Sequence, residues 1–190
     1  MKSPFEVWLE THTEPRFRDI PQFTRTGSYA PNVSWKYLPE QLKHHIEDYG
    51  LDINPDFQRG HVWDDEKRIH YVEFALRGGR SSMDLYFNCP DCHIGGVEDY
   101  VLVDGKQRLA AAVKFINNEI PAFGHYFREF IDKMPMMEPN FLWHVNDLKT
   151  REEVLTWYLE LNSGGVVHTS EELNRVRKLL KEEQEKNHGS

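Results

Sequence analysis

A second Cys-x-x-Cys is missing from this chain. Its two cysteines stand together in Cys89-Pro90-Asp91-Cys92-His93, whereas a zinc site built from side chains usually needs four ligands. His93 or another histidine could add to Cys89 and Cys92, which keeps zinc open as a cofactor, but the half-motif reads better as a loop with two reduced thiols. Also lacking is any apolar run near the twenty or so residues that a membrane span requires. The opening Met1-Lys2-Ser3-Pro4-Phe5-Glu6 has no signal-peptide core, so a cytoplasmic location is the expectation. Positive charge is not in excess: the formal charge is −8 and the pI near 5.7. That balance opposes tight, nonspecific binding to DNA, leaving only a local basic groove as a route to it. There is no internal repeat and no low-complexity linker, and 190 residues suit one domain.

What is present centres on Val101-Leu102-Val103-Asp104-Gly105-Lys106-Gln107-Arg108. Tyr100 to Val103 form an apolar run with no polar face, the mark of a strand covered on both sides. Asp104-Gly105 halts it, and Leu109, Ala112, Val113 and Ile116 follow at the spacing of one helical face. In a strand, turn, helix of this kind the first-turn amides point out of the turn, with Lys106 and Arg108 beside them, and attract phosphate. Asp104 would be repelled there unless a divalent cation or a hydroxyl lay between. The combination points to a nucleotide with a metal ion, set against the plainer reading of a turn followed by a solvated helix start.

Around this centre the chain divides into an N-terminal arm over 1–35, a body over 36–180 and a charged, frayed tail over 181–190. The arm carries Phe5 and Trp8 as anchors and a short strand near 33–37. Pro39 at a first helical position and Gly50 at the stop bracket a helix through Leu42 and Ile46. A short strand runs into Pro55. Asp64 or Asp65 then caps a helix with Ile69, Val72 and Leu76 on its face, closed by Gly78-Gly79. Met83, Leu85 and Phe87 alternate as a strand that pairs with the central strand through a long-tipped hairpin. Phe123, Tyr126, Phe127, Phe130 and Ile131 suggest a short helix that packs into the core. Residues 141–145 read as a strand. Thr150 and Glu153 form a capping box, as do Thr169 and Glu172 for a final helix. The fold class is therefore α/β with an α+β tendency, a small mixed sheet surrounded by helices.

Two further stretches suit an anion. Arg59, in Gln58-Arg59 between aromatics, is a fork-shaped donor, with pairing to Asp56 or Asp64 as the plainer alternative. Asn162-Ser163-Gly164-Gly165 ends a helix with two glycines, and their backbone amides can approach an anion closely.

Asn54-Pro55-Asp56-Phe57-Gln58-Arg59 with Val62-Trp63, Val103 to Leu109, and Leu161-Asn162-Ser163-Gly164-Gly165 before a Ser-Glu-Glu-Leu helix start come in one order. In that order they resemble the ParB-like domain at the N-terminus of GmrSD-type modification-dependent restriction proteins and their bacterial and phage relatives, over about residues 35–180. The family usually has Gln where Lys106 stands. The resemblance implies a ParB/sulfiredoxin-like domain that binds, and in some relatives hydrolyses, a nucleoside triphosphate with Mg. It also implies a regulatory switch in phage or bacterial defence or counter-defence, acting on a nuclease or defence partner. No His-Asn-His nuclease motif is present in these residues. Carried over by position, Asp104 holds the Mg or orients water, Gln107 positions water or phosphate, and Arg108 and Arg59 offset charge on the phosphoryl oxygens. Gly105, Gly164 and Gly165 give backbone access, Lys106 and Asn162 bind the ligand, and Gln58 is a weaker, partly structural candidate. Alternatives are a metal-dependent DNA-processing, nuclease-related protein and a non-enzymatic interaction module. Reductase chemistry of the sulfiredoxin kind would need a cysteine in the phosphate turn, which has none.

Overall fold

The computed structural model describes residues 4–11, 20–23, 28–58, 63–90, 92, 99–135, 139–163 and 170–188. Six α-helices and a four-stranded mixed sheet make up the described fold. After α1 (Pro4–Thr11), β1 (Asn32–Ser34) leads through a turn of 3-10 helix into α2 (Leu38–Tyr49). Pro39 lies in the first turn of α2, and Gly50 closes it in the left-handed conformation at φ 64°. Asp64 caps α3 (Asp65–Leu76) by accepting from the Lys67 amide at 2.9 Å. Then come β2 (Asp84–Asn88), β3 (Val101–Asp104), α4 (Lys106–Ile116), β4 (Asn140–Asn146), α5 (Arg151–Ser163) and α6 (Ser170–His188). The Thr150–Glu153 box forms as read: the Glu153 amide donates to Thr150 Oγ1 and the Thr150 amide to Glu153 Oε2, both at 3.2 Å.

The sheet order is β1-β4-β2-β3. The β2–β3 hairpin is antiparallel with an irregularity between Tyr86 and Phe87, β2 and β4 run parallel, and β1 pairs antiparallel with β4. The arm continues this edge, with Tyr29 and Val145 exchanging backbone hydrogen bonds at 3.0 and 2.9 Å. Alternation along the strands sends Leu85, Phe87, Leu102 and Trp143 into a core beneath α2, α3 and α4. Val103 faces the other way, into a second core with Val154, Leu155 and Tyr158 of α5 and Val176 of α6.

Several expectations need correction. The strand before Asp104-Gly105 is not central: β3 lies at the end of the sheet order, and its apolar run reflects helices on both faces. Its outer side meets the chain at Asp52, where the Asp52 amide donates to Tyr100 O at 2.8 Å and the Leu102 amide to Asp52 O at 2.9 Å. That single bridge replaces the strand expected before Pro55. Phe123, Tyr126, Phe130 and Ile131 are exposed rather than core, although the Phe130 ring meets buried Phe115 edge-on; Phe127 packs on the core, in a 3-10 turn over Phe127–Glu129. The tail does not fray at 181. Helix α6 runs to His188, supported by exposed pairs such as Lys178–Glu182 and Lys181–Glu185 one turn apart. Thr169 lies outside the described residues.

Cys89 and Cys92 are joined as a disulfide, with Cα atoms 5.5 Å apart. Reduced thiols are therefore not what this structure holds. Among the described residues no group of three or more His, Cys, Asp or Glu could hold a metal ion. No described helix is long and apolar enough to cross a membrane.

Candidate anion-binding site

The site grows from one glycine. At φ 105° Gly105 turns the chain from β3 into α4, and its carbonyl accepts the first helical bond from the Leu109 amide at 2.9 Å. A Cβ at this position would lie 2.3 Å from Leu85 Cδ2. The turn therefore presses directly on the core, and the first-turn end of α4 opens at the end of the strand.

A cavity of about 350 Å³ lies there. Gln58, Asp104, Gly105, Lys106, Gln107, Arg108 and Asn162 all line it, so three stretches far apart in sequence meet at one place. The remaining expected members, Arg59, Gly164 and Gly165, lie outside the described residues. Of the carboxylates proposed as alternative partners for Arg59, Asp56 pairs with Arg151 at 2.7 Å and Asp64 accepts from the Lys67 amide.

Inside the cavity the charges are paired. Arg108 Nη2 donates to Asp104 Oδ2 at 2.6 Å across one helical turn, the two side chains being 20% and 30% exposed. Arg108 Nε is buried with no hydrogen-bond partner among the described residues. Lys106 is half-buried; desolvation lowers its pKa below the ordinary lysine value, and the Asp52 carboxylate partly offsets this. The cavity is thus cationic at two points and anionic at one.

The amides are largely structural. Gln58 is buried, and its Nε2 donates to Leu102 O at 2.6 Å, tying the 52–58 segment to β3. Its Oε1 is buried with no partner among the described residues. Gln107 Oε1 accepts from the Trp63 amide at 3.3 Å, so this side chain holds the returning loop as well as facing the cavity. Asn162 Nδ2 donates to Tyr158 O one turn back in α5 at 2.7 Å, leaving Oδ1 as the atom it can offer a ligand.

Three parts of the site escaped the sequence reading. Tyr71, not singled out there, lines the cavity and donates from its hydroxyl to Ser82 O at 2.9 Å; burial pushes its pKa well up, so it remains a donor. Trp63, named there only within the Val62-Trp63 motif and given no role in the site, lines it too and meets Tyr71 edge-on with centroids 5.5 Å apart. The third is Arg175 of α6. One nitrogen, Nη2, donates to the carbonyls of Asp56, Phe57 and Gln58 at 3.1, 3.2 and 3.0 Å. Three consecutive carbonyls converging on one guanidinium fix the backbone that carries Gln58. No sequence signal marks Arg175, because a cation on a highly charged helix reads as a solvated face.

Beside the cavity, a row crosses the sheet. Tyr86 of β2 pairs in register with Asp104 on one side and His144 on the other. Its ring stacks on His144 at 4.8 Å, and His144 Nε2 hydrogen-bonds Asp84 Oδ1 at 2.7 Å.

The arrangement suits binding of a compact polyanion. The first turn of α4, with its lysine and arginine, lines a space within the usual small-ligand range of roughly 300–1,000 Å³. Asp104 is the one carboxylate among the described lining residues, which fits a Mg ion that arrives on phosphate oxygens and needs only one or two protein carboxylates. No family model, curated protein or solved structure matches the chain.

Proposed function

We propose that this chain binds a nucleoside triphosphate with Mg at the Asp104-Gly105 turn and acts as a ligand-operated switch, in keeping with the ParB-like resemblance of its motifs. The observation that supports this most is the meeting of Gln58, the 104–108 turn and Asn162 at one cavity. Terminal phosphates would lie against the first turn of α4, with Lys106 and Arg108 offsetting their charge. Asp104 would hold the Mg, which when bound supplies charge neutralisation across the phosphates.

The Asp104–Arg108 pair supports a switch rather than a fixed cradle. A phosphate competes with the carboxylate for the guanidinium, so ligand entry turns Arg108 outward and releases Asp104. Gln107, one residue away, holds the Trp63 amide, so a shift of the turn reaches the loop rim. A protein partner, a nuclease or another defence component, would read that rim.

The test is titration of ATP, GTP and CTP, each with Mg, against the wild type and Arg108→Ala. At least one nucleotide should bind, and the variant should weaken it by about tenfold or more, the worth of one charge-assisted contact. Phosphate release in the same samples separates hydrolysis from binding alone. If none of the three binds the wild type, the proposal is wrong.

A further inference from the structure

On the far side of Lys106 lies a larger space. A groove of about 670 Å³ runs between α2 and α4, floored by Leu42, Leu102 and Leu109 and walled by Ile46, Ile53 and Val113. Both helices are amphipathic, and here their apolar rows face each other across a gap. Ile46 is 41% exposed on that wall, an aliphatic side chain left in water by the fold.

The groove is not merely greasy. Lys43, Lys106, Lys114 and Arg68 line it together with one carboxylate, Glu47. Countercharges stand close by: Glu47 is 4.0 Å from Lys43, Asp65 and Glu119 are 3.9 and 3.7 Å from Lys114, and Asp52 acts on Lys106. The exposed pairs among these are loose and readily exchanged for a ligand. Arg68 differs. Its side chain is only 11% exposed; Nη1 is bound to Asp65 at 2.6 Å, while Nε is buried with no partner among the described residues. A buried guanidinium donor without an acceptor is costly, and Arg68 brings a deeply set positive charge to the groove lining.

We infer that the α2–α4 groove is a second ligand site, and that it takes a small aliphatic anion: an extended hydrocarbon body lying along the leucine floor with an acidic head toward Arg68 and Lys106. The volume is that of a small-molecule site rather than of a protein interface. Among the described residues no aromatic side chain lines the groove, so an alkyl chain is the better match than a flat ring. This inference does not rest on nucleotide binding at the Asp104 turn.

Decanoate, titrated calorimetrically below its micelle concentration, tests it, with 1-decanol and acetate as the same chain without the charge and the same charge without the chain. Decanoate should bind one-to-one and at least about tenfold more tightly than decanol, with acetate giving no saturable heat. Ile46→Glu places a carboxylate in the wall at an already exposed position, so it should keep the native circular dichroism while weakening decanoate by about tenfold or more. Arg68→Gln should lose the preference for decanoate over decanol. Absence of saturable decanoate binding, equal affinity for decanol, or an unchanged affinity in a folded Ile46→Glu protein would each overturn the inference.

Discussion

Replacing Gly105 by alanine adds one methyl group and should be among the most damaging small changes available to this chain. Two costs act together. At φ 105° and ψ 6° an L-residue is strained, and left-handed backbone costs a non-glycine residue about 1–2 kcal/mol. The new Cβ would also stand 2.3 Å from Leu85 Cδ2 and 3.4 Å from Leu85 Cα. Leu85 is fully buried, so it can give way only by disturbing the core, and overpacking of that kind typically costs about 1–3 kcal/mol. The expected loss is therefore about 2–5 kcal/mol in urea-induced unfolding with an unchanged m-value. Gly79→Ala is the control. Its Cβ would meet the Phe74 ring at 2.4 Å, an equally close approach. Yet Phe74 is 39% exposed and free to swing into solvent, and Gly79 has no left-handed angle to defend. That substitution should stay within about 0.5 kcal/mol of the wild type. If Gly105→Ala costs less than about 1 kcal/mol, or if the two substitutions cost the same, the account of the turn as a strained wedge against the core is wrong.

Asn88 is buried and joined in both directions to the 147–149 turn, Nδ2 donating to Leu148 O at 3.0 Å and Oδ1 accepting from the Leu148 amide at 2.8 Å. Asn88→Ala leaves both backbone groups unpaired and should cost about 2–4 kcal/mol by denaturant titration, with Asn88→Asp restoring only the accepted bond. His45 carries a pH dependence. Burial first, and neighbouring His44 second, hold its pKa below the ordinary 6.5, so the unfolded chain takes up that proton at a higher pH than the folded one. The resulting stability is complete above about pH 6.5 and is lost as the pH falls to the lowered folded value. His45→Gln should therefore lose less stability than the wild type between about pH 7.5 and pH 5.5; an equal loss in the two proteins would show that His45 contributes nothing.

Local grammar was legible in the sequence, and long-range partnership was not. Pro39 with Gly50, Asp64, and the Thr150–Glu153 box each mark a helix end by chemistry confined to a few residues, and each forms as read. The Asp104-Gly105 turn belongs with them, which is why so many of its cavity residues could be named in advance. The position of β3 could not be read the same way, because an apolar run reports covered faces and is silent about the strand's edges. Phe123 and Tyr126 mislead for a related reason: aromatic character favours burial without assigning it, and the chain leaves them on the surface. Arg68 and Arg175 were invisible as structural residues. The acceptors that give Arg175 its role lie 117 to 119 positions earlier in the chain.

That last separation says something about assembly. The guanidinium that gathers the carbonyls shaping the rim of the cavity belongs to a helix made more than a hundred residues after them. A nascent chain can pair its strands and close its first core while this segment remains without its clasp. Competence to bind would then wait until α6 docks.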